Sequence, residues 1–303
     1  MAANNYTYGV LPFDTTTFTS PLADTSDAIS ALNMANFTID GNGGNDTVDT
    51  GSGDDTVTTG SGNDIIVARG GNNTVSAGDG TNQVTTRSGN DSITTGNGAD
   101  AIDAGSGDDT IVTGSGADVI VAGTGNNTVT AGAGADSIRS GSGQDLIDAG
   151  SGRDDIRSGA GNDSIDAGSG NDRIASQGGI DSLAGGGGHD TFVYGGVASA
   201  MAGADTISDF NAADPTLLAG DGDRLNLKEL VASFTGTTGL SFDELVASGH
   251  LTISGTPSET VISFDSNGSA ALGSQGVLVT LNGVGFVSEA DSLLVLADNV
   301  FTF

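Results

Sequence analysis

The chain has 303 residues and a formal net charge of −31, from 39 acidic and only 8 basic residues. Nucleic acid is excluded as a partner, because the chain lacks the basic surface that such binding requires. The absence of cysteine excludes disulfides and thiolate metal sites, and no apolar run is long enough for a transmembrane segment.

The N-terminal segment, residues 1–40, is polar and rich in Thr, Asn and Ala. It lacks the basic start and the apolar stretch of a secretory signal peptide, which by itself would suggest a cytosolic protein. Ile39 precedes Val48 by nine residues, so residues 36–39 are a candidate first strand of the structure that follows. We expect this segment to be a cap or a disordered tip, or else an arm that docks on another subunit.

An uninterrupted repeat follows, with seventeen consecutive nonapeptides over Gly41–Val193. The template is G-G-x-G-x-D-x-U-x, where U is apolar, and its places are numbered here from position one to position nine. Position four is Gly and position eight is apolar in every unit. Position two is Gly except at Asn42, Arg69, Arg87 and Gln177.

Position six carries an acid or its amide in every unit. It is Asn in three units, at Asn73, Asn82 and Asn127. It is Asp in the other fourteen, at Asp46, Asp55, Asp64, Asp91, Asp100, Asp109, Asp118, Asp136, Asp145, Asp154, Asp163, Asp172, Asp181 and Asp190.

Each nonapeptide predicts half of a coil. The glycines in positions one to six favour a turn. Positions seven to nine form a short strand, in which the position-eight side chain points opposite to its neighbours. Two units then close an 18-residue coil, and stacked coils form two parallel sheets with the position-eight side chains between them. We predict an all-β fold, a parallel β-roll or right-handed β-helix, over residues 41–194.

The unbroken repeat resembles the calcium-binding nonapeptides of RTX (repeats-in-toxin) proteins. The resemblance covers 153 residues in constant phase and implies a β-roll that binds Ca²⁺ in its turns. In an 18-residue coil, Asp46 would lie over Asp64 and Asp91 over Asp109. Stacked carboxylates repel each other, but together with turn carbonyls they offer the six to eight oxygen ligands that suit Ca²⁺.

All seventeen position-six residues are therefore candidate metal ligands, with about fifteen ions as the upper limit set by the gaps between stacked turns. Mg²⁺ retains its waters, and Zn²⁺ prefers His or Cys. By the resemblance, carbonyls of positions two and four in one turn and of positions one, three and five in the next complete the shell. We expect weak, empty or only turn-capping gaps at Asn73, Asn82 and Asn127, and poorer binding around Arg69 and Arg87. The alternative is a metal-free β-helix whose Asp and Asn side chains cap turns.

After Tyr194 the period stops, and residues 195–303 predict a small mixed α/β domain. HLTISG, ETVISFDSNG and GVLVTLNGV predict strands, and Ser241–Ser248 predicts a short helix. These elements and the ending DSLLVLADNVFTF resemble the target domain of type I secreted bacterial proteins, which implies the type I secretion machinery as a partner. The simpler alternative is a cap for the open end of the roll. Further ions are one possible role for Asp205, Asp209, Asp221, Asp223 and the Asp265-Ser266-Asn267-Gly268 turn, and ordinary turn chemistry is the favoured role for each.

The favoured function is a secreted, calcium-binding structural protein of the cell surface or extracellular matrix, such as a surface-layer, biofilm-matrix or filament subunit that associates with itself. Calcium would fold it outside the cell, because a chain unfolded at low cytosolic calcium can thread a secretion channel. We expect no enzyme activity, since neither H-E-x-x-H nor G-x-S-x-G occurs. The alternatives are a calcium-dependent adhesin or glycan-binding module and, less favoured, an accessory protein of a polysaccharide-modifying enzyme.

Overall fold

The computed structural model describes residues 4–7, 16–19, 27–31, 36–194, 204–210, 223–226, 251–256, 259–265, 275–282 and 301–302. Within these ranges all regular secondary structure is β. The chain divides into two compact units, Met1–Gly150 and Ser151–Phe303.

The first unit is built from short strands. They are β1 (Asn4–Thr7), β2 (Thr16–Thr19), β3 (Asp27–Ala31), β4 (Phe37–Asp40), β5 (Thr47–Thr50), β6 (Thr56–Thr58), β7 (Ile65–Val67), β8 (Thr74–Gly78), β9 (Gln83–Thr85), β10 (Ser92–Thr95), β11 (Ala101–Asp103), β12 (Thr110–Val112), β13 (Val119–Val121), β14 (Thr128–Thr130), β15 (Ser137–Ser142) and β16 (Leu146–Asp148).

Strands of this unit form two parallel ladders. Odd-numbered strands pair in chain order from β1 to β15, and even-numbered strands pair in chain order from β2 to β16. In the repeats each residue lies beside the one 18 positions later, as Val48 beside Ile66 and Val57 beside Val75. The predicted all-β parallel roll with 18-residue coils is confirmed.

Two inward-facing positions build the core. Every position-eight side chain is at most 2 % exposed, as the sequence predicted. Position one is also enclosed, because it lies two residues further along the same extended segment and so faces the same side. It carries small residues from Thr50 to Ser176, all at most 5 % exposed, and only Ala, Ser or Thr fits beside the neighbouring coil.

The N-terminal segment continues both ladders. Ile39 is 1 % exposed and lies beside Val57, in agreement with the candidate strand at residues 36–39. Ile29 on β3 is 2 % exposed and lies beside Val48, which the sequence analysis did not predict. The offset between Ile29 and Val48 is nineteen residues, so a search for a nine-residue period misses this strand.

The second unit begins with repeat strands and ends with longer ones. They are β17 (Asp155–Ala160), β18 (Ser164–Asp166), β19 (Ser169–Gly170), β20 (Arg173–Gly178), β21 (Ser182–Ala184), β22 (Gly187–Gly188), β23 (Thr191–Val193), β24 (Asp205–Ile207), β25 (Arg224–Asn226), β26 (Leu251–Thr256), β27 (Glu259–Asp265), β28 (Gln275–Asn282) and β29 (Phe301–Thr302).

The parallel ladders of this unit extend beyond the last nonapeptide. Ile207 lies beside Leu183 and Leu225 beside Phe192, so β24 and β25 add strands after the sequence period has stopped. β28 pairs in parallel with β24 and antiparallel with β27, which pairs antiparallel with β26. The three predicted C-terminal strands are confirmed, while the predicted helix Ser241–Ser248 lies outside the described residues.

Candidate metal centre

Position two and position four of most turns have backbone conformations that favour glycine. The four non-glycine residues at position two, Asn42, Arg69, Arg87 and Gln177, have φ angles of 61°, 56°, 77° and 71°. At position four, Gly62 has a φ of 144°, and a Cβ there would overlap the carbonyl oxygen of Gly44 one coil away. Position four is therefore always glycine, because stacked turns bring their backbones into direct contact.

All seventeen position-six side chains are buried beneath these turns. None is more than 3 % exposed, although fourteen of them are carboxylates. An isolated charge in such a place is costly unless it finds a partner of opposite charge. The stacked turns thus align acids in the interior of the coil, as the repeat predicted.

One oxygen of each described pair of stacked position-six residues binds the backbone of the preceding coil. Oδ1 of Asp64 accepts the N–H of Asp46 at 2.8 Å, and Oδ1 of Asp109 accepts the N–H of Asp91 at 2.8 Å. The asparagines do the same, since Oδ1 of Asn127 accepts the N–H of Asp109 at 3.0 Å. This contact holds each side chain in a fixed orientation.

The second carboxylate oxygen is left over. Oδ2 is buried without a hydrogen-bond partner at Asp64, Asp91, Asp109, Asp118, Asp172 and Asp190. Burial, with help from nearby carboxylates, raises the pKa of Asp109 and Asp172 to about 6 and that of Asp190 to about 7. These oxygens need a cation or a proton.

The donor set fits a hard cation. Among the described residues no three His, Cys, Asp or Glu side chains converge on one point. An ion between stacked turns would therefore meet one or two carboxylates and complete its shell with turn carbonyls. Oxygen ligands of this kind, in a flexible arrangement of six to eight, are those of Ca²⁺.

The second unit places two further acids in equivalent positions. Oδ1 of Asp205 accepts the N–H of Asp181 at 2.9 Å, and Oδ1 of Asp223 accepts the N–H of Asp190 at 2.9 Å. Their side chains are 1 % and 2 % exposed. The sequence analysis expected ordinary turn roles for both. Their position in D-x-U segments, Asp205-Thr206-Ile207 and Asp223-Arg224-Leu225, was the signal that could have identified them.

A family model of the RTX calcium-binding nonapeptide repeat matches residues 40–75, 76–111, 112–147, 148–183 and 166–198. These matches cover more than half of the chain. The chain belongs to the RTX calcium-binding repeat family. RTX repeats bind Ca²⁺, and the proteins that carry them are typically secreted. A comparison with curated proteins found no match.

The RTX β-roll is typical of non-enzymatic, calcium-binding structural domains. Within the described ranges, no helix combines the length and apolar character needed to span a bilayer. The seventeen position-six residues remain predicted ligands, and the buried Oδ2 atoms are what makes these RTX turns suitable for calcium.

A second series of stacked side chains, at position five, was not predicted from the sequence. On one edge of the first unit, Oδ1 of Asp54 accepts the N–H of Asn72 at 2.7 Å, and Oδ1 of Asn72 accepts the N–H of Asn90 at 2.8 Å. The series continues through Asp108 to Asn126. Its signal is an Asn or Asp at every second position five, a period of 18 rather than nine. These bonds stabilise the turns whose carbonyls would bind the ion.

Proposed function

We propose that this RTX protein is a secreted structural subunit of the cell surface or extracellular matrix, locked by calcium ions between its stacked turns. Residues 41–194 are the calcium-binding roll in this proposal. Residues 1–40 form a cap or assembly arm, and residues 195–303 cap the roll and carry the type I secretion signal.

The observation that carries the proposal is the row of position-six aspartates whose Oδ2 atoms are buried without a hydrogen-bond partner. Asp109 and Asp118 illustrate it, because each uses Oδ1 to bind backbone and leaves Oδ2 enclosed without a donor. A bound Ca²⁺ would supply positive charge and cancel the repulsion between neighbouring carboxylates. The fourteen position-six aspartates would contribute carboxylate ligands. Carbonyls of positions one to five in adjacent turns would supply the rest.

Calcium dependence also supports the proposed route of export. Without cations, the row of enclosed position-six carboxylates destabilises the folded coil, because each charge loses its hydration without gaining a partner of opposite charge. The chain would therefore stay unfolded at low cytosolic calcium and could pass through the type I machinery. Extracellular calcium would then fold it, since a ligand that binds only the folded state stabilises that state by mass action.

Aromatic side chains favour a scaffold over a glycan-binding adhesin. Phe37, Phe192, Tyr194 and Phe210 are all at most 4 % exposed, and they are the aromatics whose burial the structure describes. Sugar-binding surfaces commonly present exposed aromatic rings alongside a few polar groups. In this part of the chain no ring is available for that purpose.

The outer face of the even-numbered ladder supports self-association. Five successive strands, β6, β8, β10, β12 and β14, present two aligned columns of exposed or half-exposed Thr, Ser and one Val. No charged side chain lies in these columns, although the whole chain carries −31. A regular face without charge allows copies of the chain to pack side by side, where acidic surfaces would repel.

Calcium removal tests the folding part of the proposal. Circular dichroism should show strand signal in millimolar calcium and its loss on titration with EGTA, with recovery when calcium is returned in excess. Magnesium at the same concentration is the control and should not restore the signal. Strand content that is unchanged by EGTA would contradict the proposal.

Electron microscopy with and without calcium tests the structural role. Ordered polymers or sheets should form only with calcium, and Thr94→Arg on the uncharged face should prevent them. Gln83→Arg, on the exposed face of the other ladder, is the matched control and should polymerise normally. A calcium-loaded protein that stays monomeric would refute the scaffold and favour the adhesin.

A further inference from the structure

Three asparagines at position six donate hydrogen bonds where the aspartates cannot. Nδ2 of Asn73 donates to the carbonyl of Gly71 at 3.0 Å and to Oδ1 of Asp91 at 2.9 Å. One amide group therefore joins the carbonyl of its own turn to the carboxylate of the turn stacked on it.

The other two asparagines also donate from their amides, Asn82 to two carbonyls of its own turn and Asn127 to one carbonyl of its own turn and one of the next stacked turn. Nδ2 of Asn82 donates to the carbonyls of Gly78 at 3.0 Å and Gly80 at 3.3 Å. Nδ2 of Asn127 donates to the carbonyl of Gly125 at 3.1 Å and to that of Ser140, in the next stacked turn, at 3.4 Å.

The acceptors are the oxygens assigned to the calcium shell. Gly71, Gly80 and Gly125 occupy position four and Gly78 occupies position two, while Ser140 is position one of the following turn. An aspartate in the same place would present Oδ2, an acceptor, to these acceptors, and only a cation or a proton could join them. The amide instead brings two N–H donors and needs no ion.

Arginine residues in the two turns around Asn73 also argue against an ion in its gap. The gap between Asn73 and Asp91 is bounded by two turns that carry arginine at position two, Arg69 and Arg87. Arg69 binds Asp49 through Nε and Nη2 at 2.7 and 2.8 Å. The positive charge that both turns carry at position two disfavours a divalent cation in this gap, because like charges repel.

We propose that Asn73, Asn82 and Asn127 are built-in substitutes for calcium, so that the three gaps they occupy are closed by an amide and hold no ion. This inference rests on the proposed calcium role of the position-six aspartates. It divides the first unit into coils that require calcium and coils that hold together without it.

Native mass spectrometry at saturating calcium tests this by counting bound ions in the full-length chain. Asn127→Asp, Asn82→Asp and Asn73→Asp should each bind one ion more than the unmodified protein, with the smallest affinity gain at Asn73 beside the arginines. The matched reverse variant, Asp118→Asn, should bind one ion fewer, because aspartates lie at position six on both sides of it in its column of turns.

The two variants separate the two claims. An unchanged ion count in Asn127→Asp and Asn82→Asp, together with one ion lost in Asp118→Asn, overturns the substitution by amides and leaves the calcium role standing. No loss in Asp118→Asn overturns the calcium role itself.

The calcium dependence of folding gives a second readout that does not depend on counting ions. In a calcium titration followed by circular dichroism, Asn127→Asp should need more calcium than the unmodified chain to reach half of its strand signal, and it should reach the full signal at saturating calcium. Asn127→Ala should remain less stable than the unmodified chain even at saturating calcium, because it loses the amide donors without gaining a ligand. Equal titration midpoints for Asn127→Asp and the unmodified chain would contradict the inference.

Discussion

Acidification should stabilise the folded state of the calcium-free chain. The pKa of Asp109 gives the size of the effect for one carboxyl. Burial, together with the charges of Asp91 and Asp108, raises the pKa of this carboxyl from 3.8 to about 6 in the folded chain. An acid whose pKa is higher in the folded state binds protons more tightly there, so the free energy of unfolding falls as pH rises between these two values. The full change is about 3 kcal/mol for this one carboxyl, and about 1.4 kcal/mol of it lies above pH 5.

The strand signal in EGTA, followed by circular dichroism between about pH 5 and 7.5, measures this effect as the fraction of the chain that is folded. The range stays above the isoelectric point of about 4.1, where loss of net charge promotes precipitation. The folded fraction should rise as pH falls. Asp109→Asn keeps the Oδ1 acceptor but cannot titrate, so its dependence on pH should be shallower.

Calcium should reverse the trend. Protons compete with the ion for the carboxylates, so the calcium-loaded chain should lose stability on acidification. A calcium-free strand signal that is flat or falls toward pH 5 would show that the position-six carboxyls are hydrated in the folded chain. The account of their burial would then be wrong.

Three substitutions test the packing by thermal or urea unfolding in calcium. Gly62→Ala should destabilise the coil by more than about 2 kcal/mol, from backbone overlap and a strained φ; Gly187→Ala, whose Cβ meets nothing within 4 Å, should change stability by less than about 0.5 kcal/mol. Ile120→Ala should cost about 2–5 kcal/mol by leaving a cavity, whereas its neighbour Val119, 51 % exposed, should tolerate alanine; equal losses would contradict the assigned inward face. Asp209→Ala removes the acceptor of two backbone N–H groups, of Gly185 and Gly186 at 3.0 and 2.7 Å, and should lower stability by about 1.5–3 kcal/mol; an unchanged melting curve would show that water replaces it.

The nonapeptide alone was enough to predict the coil and the stacking of its position-six acids. Each unit repeats the same sequence pattern, a glycine-rich turn followed by a short strand with one inward apolar residue. The positions of the strands and their register therefore follow from the nine-residue period, without knowledge of distant contacts. The burial of Asp46 to Asp190 at position six follows in the same way, because it lies two residues before the inward Val or Ile.

Contacts between coils of unequal length depended on the tertiary structure. Ile29, Asp205 and Asp223 enter the ladders although the spacing around them differs from nine, because the hydrogen bonds between two parallel strands require a long connection but do not fix its length.

The chemistry of individual gaps was likewise decided in three dimensions. From the sequence, Asn127 is only an uncharged residue at a position where most repeats have aspartate. In the fold its amide lies within hydrogen-bond distance of Gly125 and Ser140, and Asp54 and Asn72 join turns that are 18 residues apart. Spacing identifies which residues stack, but only the stacked coils show which donors and acceptors meet.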